Sequence, residues 1–231
     1  MVLEMDNDDY KIYSGKYVQE KKFMIADIKM KTSEIAFFDF DGTVTSKDTL
    51  AEVLKFIKGK FSYYLGILIL SPVIAAYKFK IISNHKAKEI LLTYFLKNFD
   101  INKFNALCTE FAEKKLPSLL NKSALLEIRK HLQHKTPVII ISASAENWIL
   151  PWSSKYNIDC IATKLEVKNG KLTGKIDGRN CSGKEKVRHI KSRYELSTYQ
   201  KIYAYGDSPD DLPMLSLATE KNYKPFRRFS Y

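Results

Sequence analysis

The sequence predicts an α/β fold in which a parallel sheet carries a helical insertion. Three observations lead there. Short, nearly continuous apolar runs recur at 34–40 (EIAFFDF), 136–144 (TPVIIISAS) and 201–208 (KIYAYGDS), and each runs out into polar residues. Such runs are expected of parallel strands covered on both faces. Helical patterns lie between them, and residues 48–117, between the first run and the second, read as helix almost throughout. Strands alternating with helices, with the first strand set apart by an all-helical block, imply a parallel sheet with that block inserted.

Taken in order, residues 1–33 are polar and mixed in charge, and read as a loosely attached leader with one short helix. The start, MVLEMDNDDYK, is acidic where a secretory signal needs a basic region and an apolar core. Inside the helical block, Ser83 and Asn84 precede HKAKEILLTYFLKNF, a capped helix with Ile90, Leu91, Tyr94 and Phe95 on one face. NKFNALCTEFAEKKL repeats the pattern at Phe104, Leu107, Cys108 and Phe111, and Pro117 marks a boundary. SALLEIRKHLQHK is helical and leads into the second strand. CIATKLEVKNGKLTGKI reads as a hairpin with its turn at Asn169-Gly170. GKEKVRHIKSRYE is a helix, the third strand follows, and DDLPMLSLA opens a last helix. With KPFRRFSY coming so soon after, the final strand of the sheet is expected to be short or missing. The expected organisation is a leader (1–33), a core (34–47 and 118–231) and a helical cap (48–117).

The 231 residues fit one domain with an insert, and 45 % apolar residues supply an ordinary core. The net charge of +12 points to a polyanionic partner or substrate: nucleic acid, an anionic membrane or a phosphorylated small molecule. No helix-turn-helix, zinc or RNA-recognition signature accompanies it, which speaks against a nucleic-acid-binding module. Cys108, Cys160 and Cys181 have no CxxC spacing, so a disulfide framework or zinc site is not expected and a reducing, cytoplasmic setting fits. His85, His131, His134 and His189 lack ligand spacing and read as surface residues; Trp148 and Trp152 read as packing cap onto core.

The strand ends carry the chemistry. The first run ends in Asp39 and Asp41, the second in Ser142, the third in Asp207. Ligands of open parallel sheets sit outside the carboxyl ends of the strands, so these residues are expected to converge. Carboxylates in one cleft resist ionising together, and a bound Mg²⁺, a hard cation held by a few carboxylates, resolves the conflict. Two carboxylates that part at Gly42 can take different tasks: one attacks phosphorus, the other passes a proton to the leaving oxygen.

DFDGTVT, IIISAS, a lysine after the hairpin and YGDSPDDLPML resemble, in order and spacing, the four motifs of the haloacid dehalogenase superfamily of phosphohydrolases, over about residues 34–220. The resemblance implies a Rossmann-like core with a type-one helical cap. It implies Asp39 as nucleophile forming an aspartyl-phosphate, and Asp41 as general acid and then base, lending its backbone carbonyl to Mg²⁺. Ser142 would hydrogen-bond the phosphoryl oxygens, Asp207 would ligate the metal, and Asp211, with Asp210 beside it, would support the metal shell. The lysine is Lys184 by its spacing to Asp207 in phosphoserine phosphatases, or Lys186 by a GxEKV pattern, the second slightly preferred.

Two features bear on substrate. Asp48 stands where phosphoserine phosphatases place a glutamate that holds the substrate amine, and SASAENWILPW replaces their SGG segment; Thr43 and Ala143 join Asp48 as candidates for substrate selection. Residues 61–77 (FSYYLGILILSPVIAAY) are seventeen without a charge, and between Val53 and Lys88 there are seven lysines and no Asp or Glu. Broken at Ser71-Pro72 and short for a bilayer span, the stretch reads either as a buried helix pair or as an interfacial hairpin on an anionic leaflet. This apolar cap, DGTVTSKDT and CSGKEKV are similar to the subclass one-B group, which includes phosphatidylglycerophosphatase C-type enzymes acting at the cytoplasmic membrane face. The expected function is therefore a Mg²⁺-dependent phosphomonoesterase on a phospholipid head group, with a soluble phosphatase of phosphoserine-like or sugar phosphates as the alternative.

Overall fold

The computed structural model describes residues 34–226. The leader (1–33) and the last residues of the C-terminal segment lie outside the described residues. Six strands form one sheet in the order β4-β3-β2-β1-β5-β6: β1 (Glu34–Phe38), β2 (Val138–Ala145), β3 (Asp159–Lys168), β4 (Lys171–Asp177), β5 (Lys201–Gly206) and β6 (Glu220–Tyr223). All neighbours run parallel except β3 and β4. Of the α-helices between β1 and β2, five lie in the region expected to be helical: α1 (Thr49–Lys58), α2 (Lys60–Ile69), α3 (Ser71–Lys78), α4 (Asn84–Leu96) and α5 (Ile101–Lys114). The others are α6 (Lys122–Gln133), α7 (Glu146–Lys155), α8 (Lys184–Arg193) and α9 (Leu212–Leu215).

The apolar runs are strands because both faces of the sheet are covered. On one face, Ile35, Phe37, Ile139 and Ile141 join Ile190 of α8 and Met214 and Leu215 of α9. On the other, Ala36, Phe38, Val138 and Ile140 join Leu92, Phe95, Phe104 and Phe111 of α4 and α5 and Trp148 of α7. Residues two apart share a face, so each strand feeds both cores. The capped helix begins as its sequence predicts, with Ser83 Oγ accepting from Lys86 N–H (3.2 Å). The hairpin turns at Asn169 (φ 50°) and Gly170 (φ 72°), both left-handed as a tight two-residue turn requires. The final strand is present but four residues long, and its side chains are largely exposed.

Two expectations are corrected. His131 is buried, its ring edge-on to Phe38 and Tyr203 and its Nε2 2.9 Å from the Tyr205 hydroxyl, because α6 turns that face onto the sheet. The stretch 61–77 is not a buried helix pair. It forms α2 and α3, bent by 60° at Leu70, with Phe61 83 % and Leu68 69 % exposed; Phe79 (78 %) and Ile81 (75 %) follow just after α3. Among the described residues no single helix is long and apolar enough to cross a membrane. Trp148, fully buried, donates from Nε1 to Thr49 Oγ1 (3.0 Å), tying the start of the helical block to α7.

Candidate active site

The site forms where β1 parts from its two neighbours. β1 lies between β2 and β5 with Phe38 level with Ile140 and Tyr205, so the residues that follow each strand emerge at one edge. The chain is pinned there by Asp39 N–H donating to Tyr205 C=O (2.9 Å). Gly42 then turns the backbone through φ 83°, and a Cβ at that position would overlap the Asp207 carboxylate. The turn can approach Asp207 this closely because residue 42 has no side chain.

Asp39 is 6 % exposed. Its Oδ1 accepts from Lys186 Nζ (2.5 Å) and its Oδ2 from Thr43 Oγ1 (3.2 Å). Burial pushes its pKa up to about 7; the Lys186 ammonium pulls the other way, and Asp211 adds to the rise. Lys186, on the first turn of α8 and 2 % exposed, also reaches Asp211 Oδ1 (2.6 Å). Burial alone would lower the pKa of this lysine, but the two carboxylates raise it. Of the two candidate lysines only Lys186 joins the carboxylates; Lys184, two residues earlier, is exposed at the start of the helix.

Asp211 has both oxygens engaged. Oδ1 takes Lys186, and Oδ2 accepts from Asp207 N–H (3.1 Å), Ser208 N–H (2.9 Å) and Ser208 Oγ (2.8 Å). Burial works to raise its pKa, yet Lys186 and these donors hold it low. Asp210 is exposed and accepts from Ser182 Oγ (2.5 Å).

Asp41 is built differently. Its Oδ1 accepts from Thr49 N–H (2.7 Å) and its Oδ2 from Ser144 Oγ (2.5 Å). Burial raises its pKa, and Asp48 adds to this, against the lowering by those hydrogen bonds. Two carboxyls in one cleft thus differ in their partners: Asp39 lies against a cation, Asp41 against a hydroxyl and a backbone N–H, while burial raises the pKa of both. Unlike partners of this kind suit unlike tasks, a nucleophile beside a fixed cation and an acid beside neutral donors.

Ser142 is fully buried, its Oγ accepting from Ser144 N–H (3.0 Å). Its neighbours Ala143 and Ser144 line the cavity instead. Asp48 caps α1 through Ala51 N–H (3.1 Å) and also lines the cavity. The cavity, about 360 Å³, has acids and Lys186 at its floor and an apolar wall of Leu70, Val73, Ile74, Tyr77 and Leu91. The reading of the sequence missed Ser144, Asn180 and Lys88, which also line it. Ser144 had a signal, since it lies two residues after Ser142 in extended chain; Asn180 and Lys88 had none beyond their polarity.

One oxygen each of Asp39, Asp207 and Asp211 lies within 4.8 Å of the others. An all-oxygen carboxylate set at that spacing fits a hard divalent cation such as Mg²⁺.

The sequence profile of the haloacid dehalogenase-like hydrolases matches residues 36–216. The chain is a haloacid dehalogenase-like hydrolase. Protein CicA of Caulobacter vibrioides is 33 % identical to this hydrolase over 192 residues, 82 % of this chain and 85 % of that protein. A probable phosphatase of Mycobacterium tuberculosis is 28 % identical over 196 residues, 78 % of this chain and 64 % of that protein. A solved phosphoserine phosphatase, captured as an analogue of its phospho-aspartyl intermediate, superposes with a TM-score of 0.58 at 18 % identity, covering 80 % of this chain and 82 % of its own. That last likeness is one of fold. The hydrolase has a six-stranded, mostly parallel α/β architecture.

Proposed function

We propose that this hydrolase cleaves phosphomonoesters through a covalent intermediate on Asp39, with Asp41 as proton carrier and Mg²⁺ as its metal. The observation that carries the reading is the unlike pair of carboxyls at one strand end: buried Asp39 against Lys186, half-buried Asp41 against Ser144 and Thr49. An Asp39 oxygen attacks phosphorus as the bond to the alcohol oxygen breaks, and Asp41 gives that oxygen its proton. Water then attacks the aspartyl-phosphate, Asp41 takes a proton from it, and the bond to Asp39 breaks to release phosphate. Mg²⁺, held by Asp39, Asp207 and the Asp41 carbonyl, would supply charge neutralisation at the phosphoryl oxygens. Lys186 adds a fixed positive charge, Thr43 steadies Asp39, and Asp211 orients both Lys186 and the Asp207 backbone. Ser142 shapes the strand end through Ser144 N–H. In this reading helices of 48–117 form a cap over the core of 34–47 and 118–231.

The substrate reading is a phospholipid head group such as phosphatidylglycerophosphate, met at the cytoplasmic face of an anionic membrane. It is supported by α2 and α3, whose outer side chains are exposed and apolar, whose flanks are lysines, and whose inner side chains Val73, Ile74 and Tyr77 line the cavity. A soluble phosphomonoester bearing an amine is the second reading, favoured by the Asp48 carboxylate at the cavity wall.

Asp39→Asn is expected to reduce hydrolysis of p-nitrophenyl phosphate by about 10³-fold or more and to abolish acid-stable labelling by phosphate, while the fold persists by circular dichroism. Wild-type turnover by Asp39→Asn overturns the assignment.

A further inference from the structure

Two lysines line the cavity, and their surroundings differ. Lys186 lies between two carboxylates. Lys88, reaching in from the first turns of α4, donates from Nζ to Ala143 C=O (2.5 Å) and Asn180 Oδ1 (3.1 Å). Both acceptors are neutral, and among the described residues no carboxylate forms an ion pair with it. The acceptors are themselves fixed. Thr163 Oγ1 lies 2.6 Å from Ala143 O and 3.1 Å from Asn180 Oδ1, and it accepts from Cys181 N–H (3.0 Å). Thr163 and Asn180 are buried. An ammonium carries three N–H donors, and two of them are accounted for.

A desolvated cation held only by neutral oxygens is an incomplete arrangement, because taking a charge out of water is repaid only by a counter-charge. Desolvation accordingly draws the pKa of Lys88 down to about 8, against the pull of Asp41 and Asp48. Lys88 lines the same cavity as Asp41, the acid at the leaving oxygen in the proposed reading.

We propose that Lys88 receives a second anionic group, carried on the alcohol part of the substrate, so that the phosphatase prefers phosphomonoesters with a separate negative centre. The inference rests on the phosphatase reading with Asp41 at the leaving oxygen. The shared chemistry is a carboxylate or a phosphodiester: the first belongs to a small soluble metabolite, the second to a lipid head group. Lys88 is on this account a specificity residue that touches substrate, not part of the phosphoryl-transfer machinery.

The test uses the purified protein with Mg²⁺. Turnover of p-nitrophenyl phosphate first establishes phosphatase activity independently of Lys88. Glycerol 3-phosphate is then compared with 3-phosphoglycerate, which adds a carboxylate, and with glycerophosphoglycerol phosphate, which adds a phosphodiester. Each is measured by kcat/KM, and by competition against p-nitrophenyl phosphate. In at least one pair the two-anion ester is expected to be preferred by about tenfold or more, with Lys88→Gln erasing the preference mainly through KM and Lys88→Arg restoring most of it. The carboxylate arm alone responding assigns a soluble metabolite; the phosphodiester arm alone assigns a lipid head group. No wild-type preference in either pair, or a preference that survives Lys88→Gln, overturns the inference without touching the phosphatase reading. The wild-type comparison decides even if Lys88→Gln fails to fold. Absence of any turnover by the wild type overturns the phosphatase reading and this inference with it.

Discussion

A side chain at position 42 has nowhere to go. The backbone there is left-handed (φ 83°), and a Cβ would overlap the Asp207 carboxylate. Gly59 has a similar φ of 79° with nothing nearby, so it isolates the backbone contribution. Gly42→Ala is expected to cost about 1–3 kcal/mol in denaturant unfolding and to lower p-nitrophenyl phosphate turnover by at least about tenfold, since Asp207 must move. Gly59→Ala is the control: about 1–3 kcal/mol from strain and no loss of turnover. At this scale the sequence was most legible where an acid ends an apolar run. Asp39, Asp41 and Asp207 stand out for that reason. The choice between Lys184 and Lys186 was legible only as a slight preference for Lys186, because both fall at a helix start and only the rotation of α8 decides which points inward. Lys88 was visible only as one of seven flanking lysines, since its partner Asn180 is 92 residues away. His131 misled because nothing in its neighbourhood announces that α6 presents that face to Phe38 and Tyr205.

Among the elements, α2 and α3 concentrate exposed apolar side chains, Phe61, Leu65, Leu68 and Ile69 among them. Helices of 10 and 8 residues meeting at 60° are too short, singly, for a bilayer core. Exposed apolar residues with lysines on both flanks suit the interfacial zone of an anionic leaflet, where each lysine adds about 1 kcal/mol. The triple change Phe61→Ser, Leu68→Ser, Phe79→Ser is expected to lower co-sedimentation with anionic vesicles by about tenfold or more. Because all three side chains are exposed, the melting temperature should hardly move. Vesicle binding equal to wild type would leave the soluble reading standing. The apolar run and its lysines were plain in the sequence, but which side would be covered was not, as that depends on how α2 meets Phe95 across Gly66. The last strand was obscure for the opposite reason. Glu220–Tyr223 is a polar edge strand with little buried surface, and it carries no periodic signal.

Taken whole, the molecule gathers acids separated by most of the chain into one cleft, at the cost of mutual repulsion. A divalent cation that binds the folded form alone should therefore stabilise it. At about a hundredfold excess over its Kd, Mg²⁺ is expected to add about 2.7 kcal/mol and raise the melting temperature by about 5–10 °C. Asp207→Asn should abolish most of that shift in a thermal melt with and without EDTA; an equal shift in the variant would place the metal elsewhere. The alternation of strands and helices was largely legible because apolar periodicity encodes it, but the helix Glu146–Lys155 and the last strand were not. The sheet order and the joining of α4 to β4 were not, since both depend on pairings between distant segments.

That joining has a mechanical consequence. Five hydrogen bonds fasten α4 and the loop after it to β4 and its turn: Asn98 N–H to Leu172 C=O, Leu172 N–H to Phe99 C=O, Ile101 N–H to Gly170 C=O, Ile176 N–H to Glu89 Oε1, and Thr93 Oγ1 to Gly174 C=O. At Gly174 the two segments lie so close that a Cβ would strike the Thr93 backbone. The helix bearing Lys88 is thus riveted to the β3–β4 ribbon and can swing only if the ribbon swings too. Displacing α2 and α3 severs none of those five bonds. A movement that widened the cavity while sparing those five bonds would therefore fall to elements outside the clamp, such as α3, whose Val73, Ile74 and Tyr77 line it.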